Sequence, residues 1–239
     1  MNVPTKAAVA AIKQVGGWVE TETIAGQQHV VEVNMVYHED EEFGREDNDL
    51  IHDECLSYVH KFPYLKRLLL KEQQATDKGL ANIRGLENLE VMYIWDASAI
   101  SDAGMAHLKN LTGLKEIYVG NSKITDESLR IFSKLPKLES LTAPGNQFTD
   151  KGLEHIQNMT QLKSLWLGQG ENEITDNGLK HLAKLTQLET LDLQQSEITD
   201  SGLEHLHSLQ QLKRFYHSGS GVTAKGYSSL TEVLPKLSK

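Results

Sequence analysis

With a single cysteine, Cys55, in 239 residues, the chain can form neither an intramolecular disulfide nor a cysteine-rich zinc site. Its stability must come from packing. It also lacks any apolar run near the roughly 18 residues that span a bilayer. The opening stretch "MNVPTKAAVAAIKQVGG" has no continuous apolar region of the kind a signal peptide carries. As it stands the chain reads as soluble and cytoplasmic; had an export signal been removed, it would read as exported. Basic clusters are missing too. The net charge is −9, yet between His38 and Glu54 nine carboxylates stand against Arg45 alone, so the remainder is nearly neutral. Such a body offers no footprint to a phosphate backbone, and nucleic acid is not an expected partner.

What the chain has in abundance is repetition. Aligned on the Asp of "TD", Asp77, Asp102, Asp126, Asp150, Asp176 and Asp200 recur at intervals of 25, 24, 24, 26 and 24 residues. Asp53 lies 24 residues before Asp77, and "VTAKGY" puts Ala224 in the Asp slot one period after Asp200. The pattern makes eight units, degenerate at both ends, as in a stacked array whose terminal repeats serve as covers.

Within a unit the apolar residues change step. Leu179, Leu182, Leu185 and Leu188 are three apart, which suits a short helix; Leu188, Leu191 and Leu193 then read L-x-x-L-x-L, which suits a short strand. Thr175 and Asp176 precede the helix, where their oxygens are expected to cap free N–H groups. Gly178 recurs as Gly79, Gly104, Gly152 and Gly202. Glycine costs a helix up to about 1 kcal/mol, so its recurrence at one slot implies a packing reason.

These motifs resemble the leucine-rich repeat family. L-x-x-L-x-L matches at Leu114/Ile117/Val119, Leu138/Leu141/Ala143, Leu162/Leu165/Leu167 and Leu188/Leu191/Leu193. The "ITDxGLxxL" half is similar to the cysteine-containing repeats of F-box substrate receptors and of many bacterial leucine-rich repeat proteins, although nothing before residue 50 resembles an F-box. The asparagine that usually ends the strand segment is mostly absent, Asn146 being a rare survivor. The resemblance implies an α/β right-handed solenoid, or horseshoe, with a parallel sheet on the concave face and short helices on the convex face. One continuous domain is expected: a cap over 1–29, then repeats over 30–239 with an acidic insertion at 38–50. In the cap, "TKAAVAAIKQVGG" predicts an amphipathic helix with Thr5 as N-cap and Ala8, Ile12 and Val15 inward. "WVETETI", the turn "AGQQ" and "HVVEVNMV" predict a hairpin whose second strand begins the solenoid.

The candidate working surface follows from strand alternation. The middle x of L-x-x-L-x-L points away from the core, and across eight rungs it reads Asn34, Leu69, Tyr93, Tyr118, Thr142, Trp166, Asp192 and Tyr216. Trp95 joins from the next exposed slot. Tyr93, Trp95, Tyr118, Trp166, Asp192 and Tyr216 are therefore the candidate partner-binding residues, because exposed aromatics anchor interfaces. Eight strands about 4.8 Å apart span roughly 34 Å and expose a strip of about 500 Å². A standard interface takes about 800 Å² per partner. A protein partner would also need the rims, where "WDASAIS" carries one extra residue and "GQGENEI" two.

No catalytic set and no metal site is expected. His107, His155, His181 and His205 share one slot of four helices, but helix axes about 8 to 10 Å apart keep their imidazoles from closing on one zinc ion. No cofactor motif is present. The chain is expected to be a non-enzymatic, monomeric module that binds protein, with carbohydrate or small-ligand binding, or an adaptor role in a larger assembly, as the alternatives.

Overall fold

The protein is described by a computed structural model covering residues 3–14, 17–35, 53–71 and 75–238. The acidic insertion at 38–50 lies outside the described residues, as do Val15 and Gly16. Nine strands form one sheet in sequence order: β1 Trp18–Ile24, β2 Gln27–Met35, β3 Arg67–Lys71, β4 Val91–Trp95, β5 Glu116–Val119, β6 Ser140–Thr142, β7 Ser164–Trp166, β8 Thr190–Asp192 and β9 Arg214–Tyr216. The first pair is antiparallel and every later pair parallel. Each parallel crossover returns through a short helix or helical turn, so the chain winds as an α/β solenoid.

The rungs share a rule. The residue entering each strand donates its N–H to the equivalent carbonyl of the rung before: Glu90 to Lys66, Lys115 to Glu90, Glu139 to Lys115, all at 2.8 Å. Ser238 makes the same bond to Lys213 at 3.0 Å. Between sheet and helices runs one continuous core of leucines, with Leu141, Leu165 and Leu191 fully buried at the same level of adjacent strands.

The convex helices are short, and several continue as 3₁₀ turns, as Asp176–Leu179 does through Lys180–Leu182. Leucines three apart fit that form, since three residues per turn eclipse on one face. Thr76, Ser101, Thr125, Thr149, Thr175 and Thr199 cap these helices as expected, each accepting from the N–H two residues on at 3.2–3.4 Å.

The neighbouring aspartate does not share that job. In seven successive units its carboxylate reaches forward to the next repeat, accepting from both the backbone N–H and the hydroxyl of the capping residue at 2.6–3.0 Å. The expectation of an Asp cap is thus corrected: a short carboxylate satisfies two donors one repeat on, leaving its own helix to the threonine. The recurrent glycine follows from it. A Cβ on Gly178 would fall well inside contact distance of the Asp150 carboxylate, and Gly79, Gly104, Gly152 and Gly202 face the same obstacle. Where serine fills the slot, the Ser128 N–H and hydroxyl both donate to Asp102.

Two details of the cap differ from the sequence reading. Its helix runs Val3–Gln14, so Thr5 lies inside it; Pro4 is tolerated in a first turn that has no N–H partner to lose. Ala8 and Ile12 are buried as expected. The hairpin turns on Ala25 and Gly26 alone, at φ 50° and 77°, and Gln27 already pairs with Ile24. Two successive positive φ angles give the tight turn whose twist suits a hairpin.

Candidate binding face

The sheet sends the expected row of side chains to its concave side, with Tyr93 opposite Tyr118, Tyr118 opposite Thr142, and Thr142 opposite Trp166 in register. The rings do not form one row. They gather into two groups separated by β6.

In the first group Tyr118 stacks against both Tyr93 and Trp95. Its centroid is 5.5 Å from Tyr93 at 8° and 4.7 Å from Trp95 at 15°. Gly120 permits this arrangement: a Cβ there would sit 3.1–3.2 Å from the Tyr118 ring and hydroxyl, so the missing side chain lets the ring lie along the strand beside Trp95. Trp95, stacked on Tyr118, remains 45% exposed, and Lys71 is its register partner on β3. Burial pushes the Tyr118 phenol up to about 12, with the Asp96 charge adding to the effect. Tyr93 is raised by burial and then by Glu116, whose carboxylate accepts from its hydroxyl at 3.4 Å. Both rings are neutral phenols at physiological pH.

The second group corrects an expectation. Trp166 and Tyr216 stand two strands apart, yet their centroids are 5.1 Å apart. Asp192, in register between them, is only 2% exposed. It faces the concave side as alternation requires, but the flanking rings close over it, so it is not open to a partner. Its carboxylate accepts from the Gln194 N–H at 2.9 Å and side-chain amide at 3.1 Å. Burial raises its pKa against those bonds.

Between the groups Ser140, Thr142 and Pro144 line a lower floor. Tyr118 is engaged toward β4 and Trp166 leans toward β9, so the gap between their strands, about 10 Å at ordinary strand spacing, stays clear of rings. Of the six candidate residues, then, five carry rings on the concave face in two clusters, and one is covered.

Three residues escaped the sequence reading. Asp96 and Glu116 flank the first cluster, and Gly120 shapes it. Asp96 takes φ 54° and accepts from the Asn121 amide at 2.7 Å. Among the described residues neither carboxylate has a cationic partner. Arg67, the cation near Tyr93, is held by Glu32 at 2.8 Å.

The rims hold a second correction. Asn146 is not alone: its amide donates to the Val119 and Ala143 carbonyls at 2.9 and 3.0 Å, and Asn172 does the same job one repeat on, donating to Leu167 at 2.6 Å while accepting from the Phe148 N–H at 2.9 Å. The two-residue insertion in "GQGENEI" displaced Asn172 when counted from the strand side. On the convex side the histidine row stays apart. His107 accepts from Arg84 Nε at 2.8 Å, and among the described residues no three His, Cys, Asp or Glu side chains gather to hold a metal ion. No helix among the described residues is long and apolar enough to cross a membrane.

Comparison with known proteins agrees with this geometry. Two family models described as leucine rich repeat match residues 87–148 and 184–207. No curated protein matches the chain. Among 270 solved chains that match, an internalin from Listeria monocytogenes is 26% identical with a TM-score of 0.64, over 76% of this chain and 49% of that one. The chain therefore spans about half the length of the internalin it resembles. So many matches mark a widely used frame, whose members typically bind proteins and are typically not enzymes. The matched repeats, the parallel sheet and the stacked units support a leucine-rich repeat protein folded as an α/β solenoid.

Proposed function

We propose that the protein is a non-enzymatic binding module that recognises another protein through its concave sheet face and the adjoining rims. The observation that carries this reading is the pair of ring clusters on one side of the sheet, with Trp95 and Tyr216 substantially exposed. Rings already stacked on one another lose little rotamer freedom on binding, which favours their use as anchors. The clear floor over β6 leaves room for a segment of a partner between them.

The test is capture from a lysate of the cells that make the protein, comparing wild type with a Trp95→Ala, Tyr118→Ala, Trp166→Ala variant. Loss of captured proteins by a variant with an unchanged far-UV spectrum supports the reading. An identical captured set sinks it.

A further inference from the structure

The unit built on β9 puts ionisable rings where the other units put core aliphatics. Leu188, Leu191 and Leu193 correspond to Leu212, Phe215 and His217 one period on. The slot of His217 is held by Val119, Ala143, Leu167 and Leu193 in the preceding strands, all buried. Tyr227 likewise stands in the slot of Leu179 and Leu203, both buried. The two exceptions meet each other. The His217 ring is 4.9 Å from that of Tyr227, on the helix Ala224–Val233, and 5.2 Å from that of Phe215 on β9. The Tyr227 hydroxyl in turn donates to the Ser238 carbonyl at 2.7 Å.

We infer that His217 makes the docking of the helix Ala224–Val233 on β9 sensitive to acid: a neutral imidazole packs in the aliphatic slot, and a protonated one loosens the helix. A half-buried site among rings penalises the cation. Burial accordingly draws the pKa of His217 below its ordinary 6.5. As pH falls, the opened chain takes up the proton first, so docking is complete above that value and weakens below it. Asp200, at the start of the preceding helical turn, pulls the other way, but burial is the larger cause. Asp200 accepts from the Thr223 N–H and hydroxyl at 2.8 and 2.7 Å, which hold its own pKa low, and Lys225 on the helix stands near it. Tyr227 is a neutral phenol, raised by burial. The remaining cations of this unit are turned elsewhere: Lys213 to Glu189, Arg214 to Thr190 and Lys236 to Gln211.

The test is amide hydrogen exchange on the full chain at about pH 7.5 and about pH 5, corrected for intrinsic rates, with strands β5 to β8 as the internal standard. In wild type the protection of residues 224–233 relative to those strands is expected to fall about twofold or more on acidification. It should stay level in His217→Leu, which restores the residue that Leu193 supplies one period earlier. His217→Gln, polar but unable to titrate, should be less protected than wild type at the higher pH yet equally indifferent to acid. The imidazole resonance, assigned by its absence from the variants, should titrate with a midpoint below 6.5. The inference is overturned if the helix keeps its protection in acid, if His217→Leu loses as much as wild type, or if the imidazole titrates at or above 6.5.

Discussion

Trp166 and Tyr216 come from strands two apart, yet their rings meet at 5.1 Å above Asp192 on the strand between them. A carboxylate so covered, with Gln194 alone among the described residues donating to it, is penalised when charged. Its pKa is raised in the folded state, so the sign is that of a group that destabilises when ionised. Below the ordinary carboxyl range both states are protonated and Asp192 contributes nothing. As pH rises past about 3.9 the unfolded chain releases its proton first, and stability falls until the folded group has ionised too. Asp192→Asn should therefore melt at least as high as wild type at pH 7, by up to a few degrees, and the difference should vanish in acid. Thermal unfolding between pH 3 and 7 measures this.

The aspartate bridges make a second prediction, tested as a cycle. Asp150→Ala removes two bonds to Thr175, at 2.8 and 2.7 Å, and should cost about 1–3 kcal/mol. Gly178→Ala places a methyl against the same carboxylate and should cost about 1–3 kcal/mol by overpacking. With the carboxylate gone the obstacle is gone, so the double variant should be less destabilised than the sum by at least about 0.5 kcal/mol. Denaturant unfolding of the four proteins measures the coupling; strict additivity would contradict the account.

A third prediction concerns the first ring cluster. Adding a methyl by Gly120→Ala should displace Tyr118, because its ring and hydroxyl stand 3.1–3.2 Å from that position. Near-UV circular dichroism should lose intensity from the stacked rings while the far-UV signal holds.

Alkaline titration supplies a fourth. The folded Tyr118 phenol is pushed up to about 12 from its ordinary value of 10.0. Stability associated with it is present below pH 10 and is lost as the unfolded chain ionises first between those values. Tyr118→Phe should flatten the loss of melting temperature between pH 10 and 12. Asp96→Asn should lower the phenol's pKa only partly, since burial is the larger cause.

The solenoid was legible because its signals are local: leucines three apart predict tight helical turns, L-x-x-L-x-L predicts a strand, and Thr175 caps the residue two positions on. What escaped notice depends on other repeats. Asp176 looked like a second cap because it adjoins Thr175, but its donors belong to Thr199, 23 residues away. Asp192 looked open because alternation fixes the direction of a side chain and not what leans over it. Asn172 was hidden by an insertion that changed its distance from the strand but not from Ile174. Asp96 and Glu116 drew no attention because a lone carboxylate has no periodicity; only their place beside the first ring cluster singles them out.

The central claim is that a protein partner enters the gap between the two ring clusters. It is tested most directly by placing the photo-crosslinking residue benzoylphenylalanine at Thr142, on the floor of that gap, and separately at Lys180, exposed on the convex side, and irradiating each with the captured partner. The account predicts a covalent adduct from position 142 and none from position 180. An adduct from 180 with none from 142 would contradict it.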